Sequence, residues 1–92
     1  MTRECADFSV YHFAKLQGYK FDEEHYFEFR GVWERDNGVT SYVYKYVEPP
    51  RLVGGHAVPT GHPIYWECSD IHTGWIGEDW MKFEAYMQST KQ

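Results

Sequence analysis

Between Asp7 and Leu16 the apolar residues fall at helical spacing, with Val10, Phe13, Ala14 and Gln17 on one stripe and Phe8 and Tyr11 beside it. Asp7 can accept from the free N–H groups of a first turn, and Gly18 can take the left-handed conformation that closes a last one. The spacing predicts a helix over 7–16.

The strongest local signal is Asn37-Gly38, set between two runs rich in aromatic and β-branched residues. This dipeptide tolerates the two positive φ angles of a type I′ turn, so 26–35 and 39–47 read as an antiparallel hairpin. A two-residue turn places Asp36 opposite Val39. Counting outward, Trp33 faces Tyr42, Gly31 faces Tyr44 and Phe29 faces Tyr46. The result is one aromatic face, on which a ring can cover the backbone left bare by glycine. The other face pairs Val32 with Val43, Arg30 with Lys45 and Glu34 with Ser41, and is the wetter of the two.

The stretch 48–61 holds Pro49, Pro50, Pro59, Gly54, Gly55 and Gly61. These residues remove donors and admit unusual φ, so the stretch reads as a connection without regular structure. From Ile64 to Ser69 the chain alternates as a strand does, with Ile64, Trp66 and Cys68 on one side and Tyr65, Glu67 and Ser69 on the other. Residues 73–77 read as loop or short strand. The tail 78–88 fits two periods: Met81, Phe83, Ala85 and Met87 alternate, while Trp80, Phe83, Tyr86 and Met87 share a helical face. Glu78 and Asp79 after Gly77, with Lys91 beyond, lie where a helix dipole favours them, which tips the tail towards helix. Together these elements predict one α+β domain over 1–92: an N-terminal helix, an antiparallel sheet built on the 26–47 hairpin, and a C-terminal helix or final strand.

Composition sharpens this picture. Phe, Trp and Tyr make up 20% of a 92-residue chain with net charge −5. The core of so short a chain is small, so some rings are expected at the surface, where exposed apolar groups mark partner sites. The acidic balance lacks the basic footprint that duplex binding needs, so direct nucleic-acid binding is not expected and a basic partner surface is. Charges at Arg3, Glu4 and Asp7 interrupt any secretory apolar region, and no window approaches the ~18 apolar residues of a membrane span. The expectation is a cytoplasmic protein without membrane association. Cys5 and Cys68 belong to no CxxC pair and read as reduced thiols.

Candidate chemistry is sparse. His56, His62, Cys68 and His72 are metal-ligating types spaced by six, six and four residues. Six extended residues span about 20 Å, so one ion could not hold both His62 and Cys68 unless the chain doubled back; no metal or other cofactor is expected. Cys68-x-Asp70-x-His72 resembles a thiol nucleophile with its base, but a straight strand would separate Cys68 from His72 by about 13 Å. Only a tight turn over 69–72 would bring them together. The carboxylates of Asp22-Glu23-Glu24, Glu34 with Asp36, and Glu78-Asp79 sit at element ends, where acids are solvated or capping. Phosphate-cradling and hydrolase motifs are absent, so no enzyme is expected.

Trp66-Glu67-Cys68-Ser69 followed by Ile76-Gly77-Glu78-Asp79-Trp80 is similar to the C-terminal signature W-x-x-S…L-A-x-D-W of a family of small phage proteins, some of which sequester nucleotide signals to disarm host defence. The likeness needs a short insertion. It has a further echo in 13–18 and in Arg30-Gly31-Val32-Trp33. It implies a phage or mobile-element origin and a ligand-sequestering function.

From the residues themselves, the expected function is non-catalytic. A small acidic protein would inhibit or adapt a partner protein by occluding it, with Trp75 and Trp80 buried in a partner pocket, Glu78 and Asp79 meeting basic groups, and Trp66 as a further contact. The alternative is a nucleotide-like ligand stacked between tryptophans. A metal- or thiol-dependent enzyme comes third. The aromatic hairpin also makes a homodimer an expectation.

Overall fold

A computed structural model describes residues 1–58 and 62–90. Its elements are helix α1 (Arg3–Leu16), strands β1 (Tyr26–Glu34), β2 (Thr40–Val47), β3 (Arg51–Val53), β4 (His56–Val58), β5 (Tyr65–Cys68) and β6 (Thr73–Trp75), a 3-10 turn (Gly77–Asp79) and helix α2 (Trp80–Thr90). The main sheet runs β1-β2-β5-β6, antiparallel throughout, and β3-β4 form a separate hairpin. This is the α+β arrangement predicted, including helix rather than strand at the C-terminal end.

Helix α1 begins at Arg3, not Asp7. The Thr2 hydroxyl accepts from the Cys5 N–H at 3.2 Å and caps the helix one turn earlier, since nothing between the two positions breaks it. Asp7, freed from capping, accepts from the Tyr44 hydroxyl. Burial, and next the bond to Asp7, push the Tyr44 phenol well above its ordinary range. The helix closes as predicted, with the Gly18 N–H on the Lys15 carbonyl and the Tyr19 N–H on the Ala14 carbonyl, each at 3.0 Å.

The hairpin forms in a different register. Arg35, not Asp36, pairs with Val39: its N–H reaches the Val39 carbonyl at 2.9 Å, and the Gly38 N–H reaches the Arg35 carbonyl at 3.0 Å. Among the described residues only glycines have positive φ, so Asn37 cannot occupy a type I′ turn. The loop is three residues long, a type I turn closed by Gly38 at φ +82°, with the Asn37 side chain accepting from the Val39 N–H at 3.0 Å. Trp33 therefore opposes Ser41, Val32 opposes Tyr42 and Gly31 opposes Val43. A bulge at Arg30 slips the pairing once more, so that Phe29 faces Tyr44 and Phe27 faces Tyr46.

Each one-residue slip exchanges the faces of a strand. Phe27, Phe29, Tyr42, Tyr44 and Tyr46 lie under α1 with Trp66 and Cys68, whereas Trp33 goes to the opposite side with Val43, Tyr65 and Phe83 of α2. The single aromatic face expected of the hairpin is thus divided between two cores. Helix α1 meets its core through the small residues Ala6, Val10 and Ala14. Phe83 closes the other, 5.8 Å from the Trp33 ring and 5.9 Å from Tyr65. All four residues of β5 are buried, because it is an inner strand with a helix on either side.

The connection predicted to be structureless contains the β3-β4 hairpin, turned by Gly54-Gly55 at φ +60° and +82°. Two adjacent glycines serve a two-residue turn as well as Asn-Gly does, and the flanking prolines mask the signal. Every residue of this hairpin's two strands is exposed. The rest of that prediction, at 59–61, and the Lys91 contribution to α2 lie outside the described residues. No helix among the described residues is long and apolar enough to cross a membrane.

Candidate functional site

Arg35, where β1 ends, and Glu67, at the middle of the sheet, form the hub of a charged cluster. Glu67 is only 5% exposed, a position at which a carboxylate without a partner is costly. It accepts from Arg35 and has His72 Nδ1 3.6 Å from its second oxygen. The Arg35 guanidinium lies 4.1 Å from the centre of the Trp33 ring and 3.8 Å from the Asp79 carboxylate. Lys82 Nζ stands 3.8 Å from the other Asp79 oxygen. Arg35 Nε is buried without a hydrogen-bond partner among the described residues.

Two open clefts flank this hub. One, of about 290 Å³, is bounded by Trp33, Asp36 and Lys82. The other, of about 280 Å³, is bounded by Ile71, His72, Trp75 and Ile76. Ile71 is held out by the 69–72 turn, in which the Ser69 N–H reaches the His72 carbonyl at 2.8 Å while the Ser69 hydroxyl oxygen accepts from the Ile71 and His72 N–H groups. Ile71 is 72% exposed as a result.

The tight 69–72 turn exists, yet it does not assemble a thiol and a base. Cys68 and Glu67 are successive strand residues and point to opposite faces. The Cys68 thiol meets Thr73 Oγ1 at 3.2 Å on the α1 side, while His72 turns to Glu67 on the other. His56 and His62 are exposed, Cys68 is buried, and among the described residues no three His, Cys, Asp or Glu converge to hold a metal.

The expected partner residues separate. Trp75 is 60% exposed at the open edge of the sheet. Its cross-strand neighbour Trp66 is fully buried, packed 5.4 Å from Tyr19 and 5.9 Å from Phe27, and so cannot contact a partner as expected. The physical reason is position: Trp66 lies on an inner strand with a strand on either side, whereas Trp75 lies on the edge strand, whose outer margin no strand covers. Trp80 is half-buried with its ring 6.2 Å from Tyr65. Glu78 is exposed, and Asp79 is engaged by Arg35 and Lys82. The structure thus brings Trp75 and Asp79 to one cleft and removes Trp66. Sequence reasoning missed Arg35, Glu67 and Ile71; the only available signal was a carboxylate in an otherwise apolar strand.

No protein family, curated protein or solved structure matches this chain.

Proposed function

We propose that this is a non-catalytic binding protein that occludes a basic surface of a partner protein, docking through the sheet margin at Trp75 and Ile71. The observation that carries the reading is the exposure of these two large apolar side chains, 60% and 72%, beside a cleft lined by the paired charges of Arg35, Glu67 and Asp79. Exposed tryptophan rimmed by charge is the usual anatomy of a protein-binding hot spot. Net charge −5, with Glu78 exposed next to Asp79, favours basic groups opposite and speeds their encounter. Both clefts are open to solvent rather than enclosed, which favours a protein over a nucleotide as the occupant.

The test is capture from host lysate with wild-type bait, with Trp75→Ala/Ile71→Ala and with Glu78→Gln. The expected result is a partner retained by the wild type, lost with the double variant, and bound more slowly with Glu78→Gln. Identical capture by all three baits would overturn the reading.

A further inference from the structure

Helix α1 turns Tyr11 towards the core but leaves other large apolar side chains facing solvent. Its buried stripe is Ala6, Val10 and Ala14, while Phe8 is 72% and Leu16 70% exposed. At about 100° per residue, Phe8 and His12 lie about 20° to either side of the direction opposite Val10. They are diametrically outward. The two rings stack at 5.8 Å with 8° between planes, and His12 meets Phe13 edge-on at 5.2 Å. Glu4 and Lys15, both exposed, border this apolar strip near its two ends.

We propose that the outer face of α1 binds a second copy of this chain, the two helices running antiparallel about a two-fold axis at the level of Val10. The order of side chains along the strip is what commits the occupant. Turning the strip end for end about that level sets Phe8 against His12 of the second copy and Glu4 beside Lys15 of the second copy, with both relations repeated by symmetry. The face is complementary to itself in charge and sets ring against ring. A parallel pair would place Glu4 on Glu4 and Lys15 on Lys15. This surface is distinct from the Trp75 margin, so each can be tested without the other.

Fourteen helical residues span only about 21 Å, and one face of them buries well under the ~800 Å² per partner of a standard interface. The dimer is therefore weak, with Kd between about 1 µM and 1 mM. Sedimentation equilibrium from about 10 µM to 1 mM, at low salt and with reductant to exclude a Cys5 disulfide, reads it directly. The average mass is expected to rise with concentration from 11.0 kDa towards twice that value. Phe8→Ser and Leu16→Ser, both at solvent-facing positions, are each expected to abolish the rise. Glu4→Lys should weaken association about tenfold by creating two like-charge pairs, and Glu4→Lys/Lys15→Glu should restore it. A constant monomer mass up to 1 mM, association indifferent to Phe8→Ser, or a double variant as weak as Glu4→Lys would each overturn the proposal.

Discussion

Gly31 lies directly beneath Met87: a Cβ on Gly31 would come within 2.9 Å of the Met87 methyl carbon and 3.4 Å of its sulfur. The contact occurs where the bulge turns the strand over, and Gly31 has φ +148°, a conformation that side-chain-bearing residues rarely adopt. Gly31→Ala is expected to cost about 1–3 kcal/mol in urea unfolding. Met87→Ala in the same chain removes the clash but not the backbone strain, so the double variant should still show most of the glycine effect. Full recovery would mean that the steric contact, not φ, dominates.

The Arg35–Glu67 pair should behave as a unit. Arg35→Leu leaves a buried carboxylate with, among the described residues, His72 as its remaining charged neighbour, and is expected to destabilise by about 3 kcal/mol. Arg35→Leu/Glu67→Leu removes the orphaned charge and should lose less than Arg35→Leu alone. Chemical denaturation of the two variants and the wild type checks the ordering.

The two paired tryptophans should separate by location. Trp66→Ala opens a cavity in the α1 core and is expected to cost about 3–5 kcal/mol. Trp75→Ala, on the exposed edge, should change stability by less than about 0.5 kcal/mol. Equal losses would mean that Trp75 is structural and would remove it as an anchor.

Asp22 offers a pH readout remote from both surfaces. Its carboxylate bonds to the His25 ring at 2.8 Å and accepts from the Glu24 and His25 N–H groups, and these contacts, the ring bond foremost, hold it at about 2. Because its native value lies below the ordinary 3.8, the stabilisation is complete above pH 4 or so and is lost as the pH falls towards about 2. Carboxyl NMR should show Asp22 titrating at about 2. Asp22→Asn should flatten the stability profile in that window.

Helix α1, both long strands and β5 were legible from periodicity, because their faces alternate as burial requires; the spacing of the tail fits both periods, and the C-terminal helix was legible only from the charges placed at its ends. The register was not. Asp36-Asn37-Gly38 satisfies a three-residue loop as well as Asn37-Gly38 satisfies a two-residue one, and a difference of one residue moves Trp33 to the other core. Gly31 did carry the missing signal, since glycine within a strand often marks a bulge. The charged site was harder to see. Glu67 alternates with Trp66 and Cys68 and so reads as facing water; it is buried because a second helix covers that side, which is a property of the whole fold.

A sheet covered on both faces can grow only at its margins, and here the margins are poor templates. Strand β1 presents a ladder interrupted by the Arg30 bulge and set with Glu28, Arg30 and Glu34, while β6 is three residues long. The irregularity that splits the aromatic residues between two cores therefore also guards against strand-by-strand polymerisation, the hazard that a chain so rich in aromatic and β-branched residues would otherwise run.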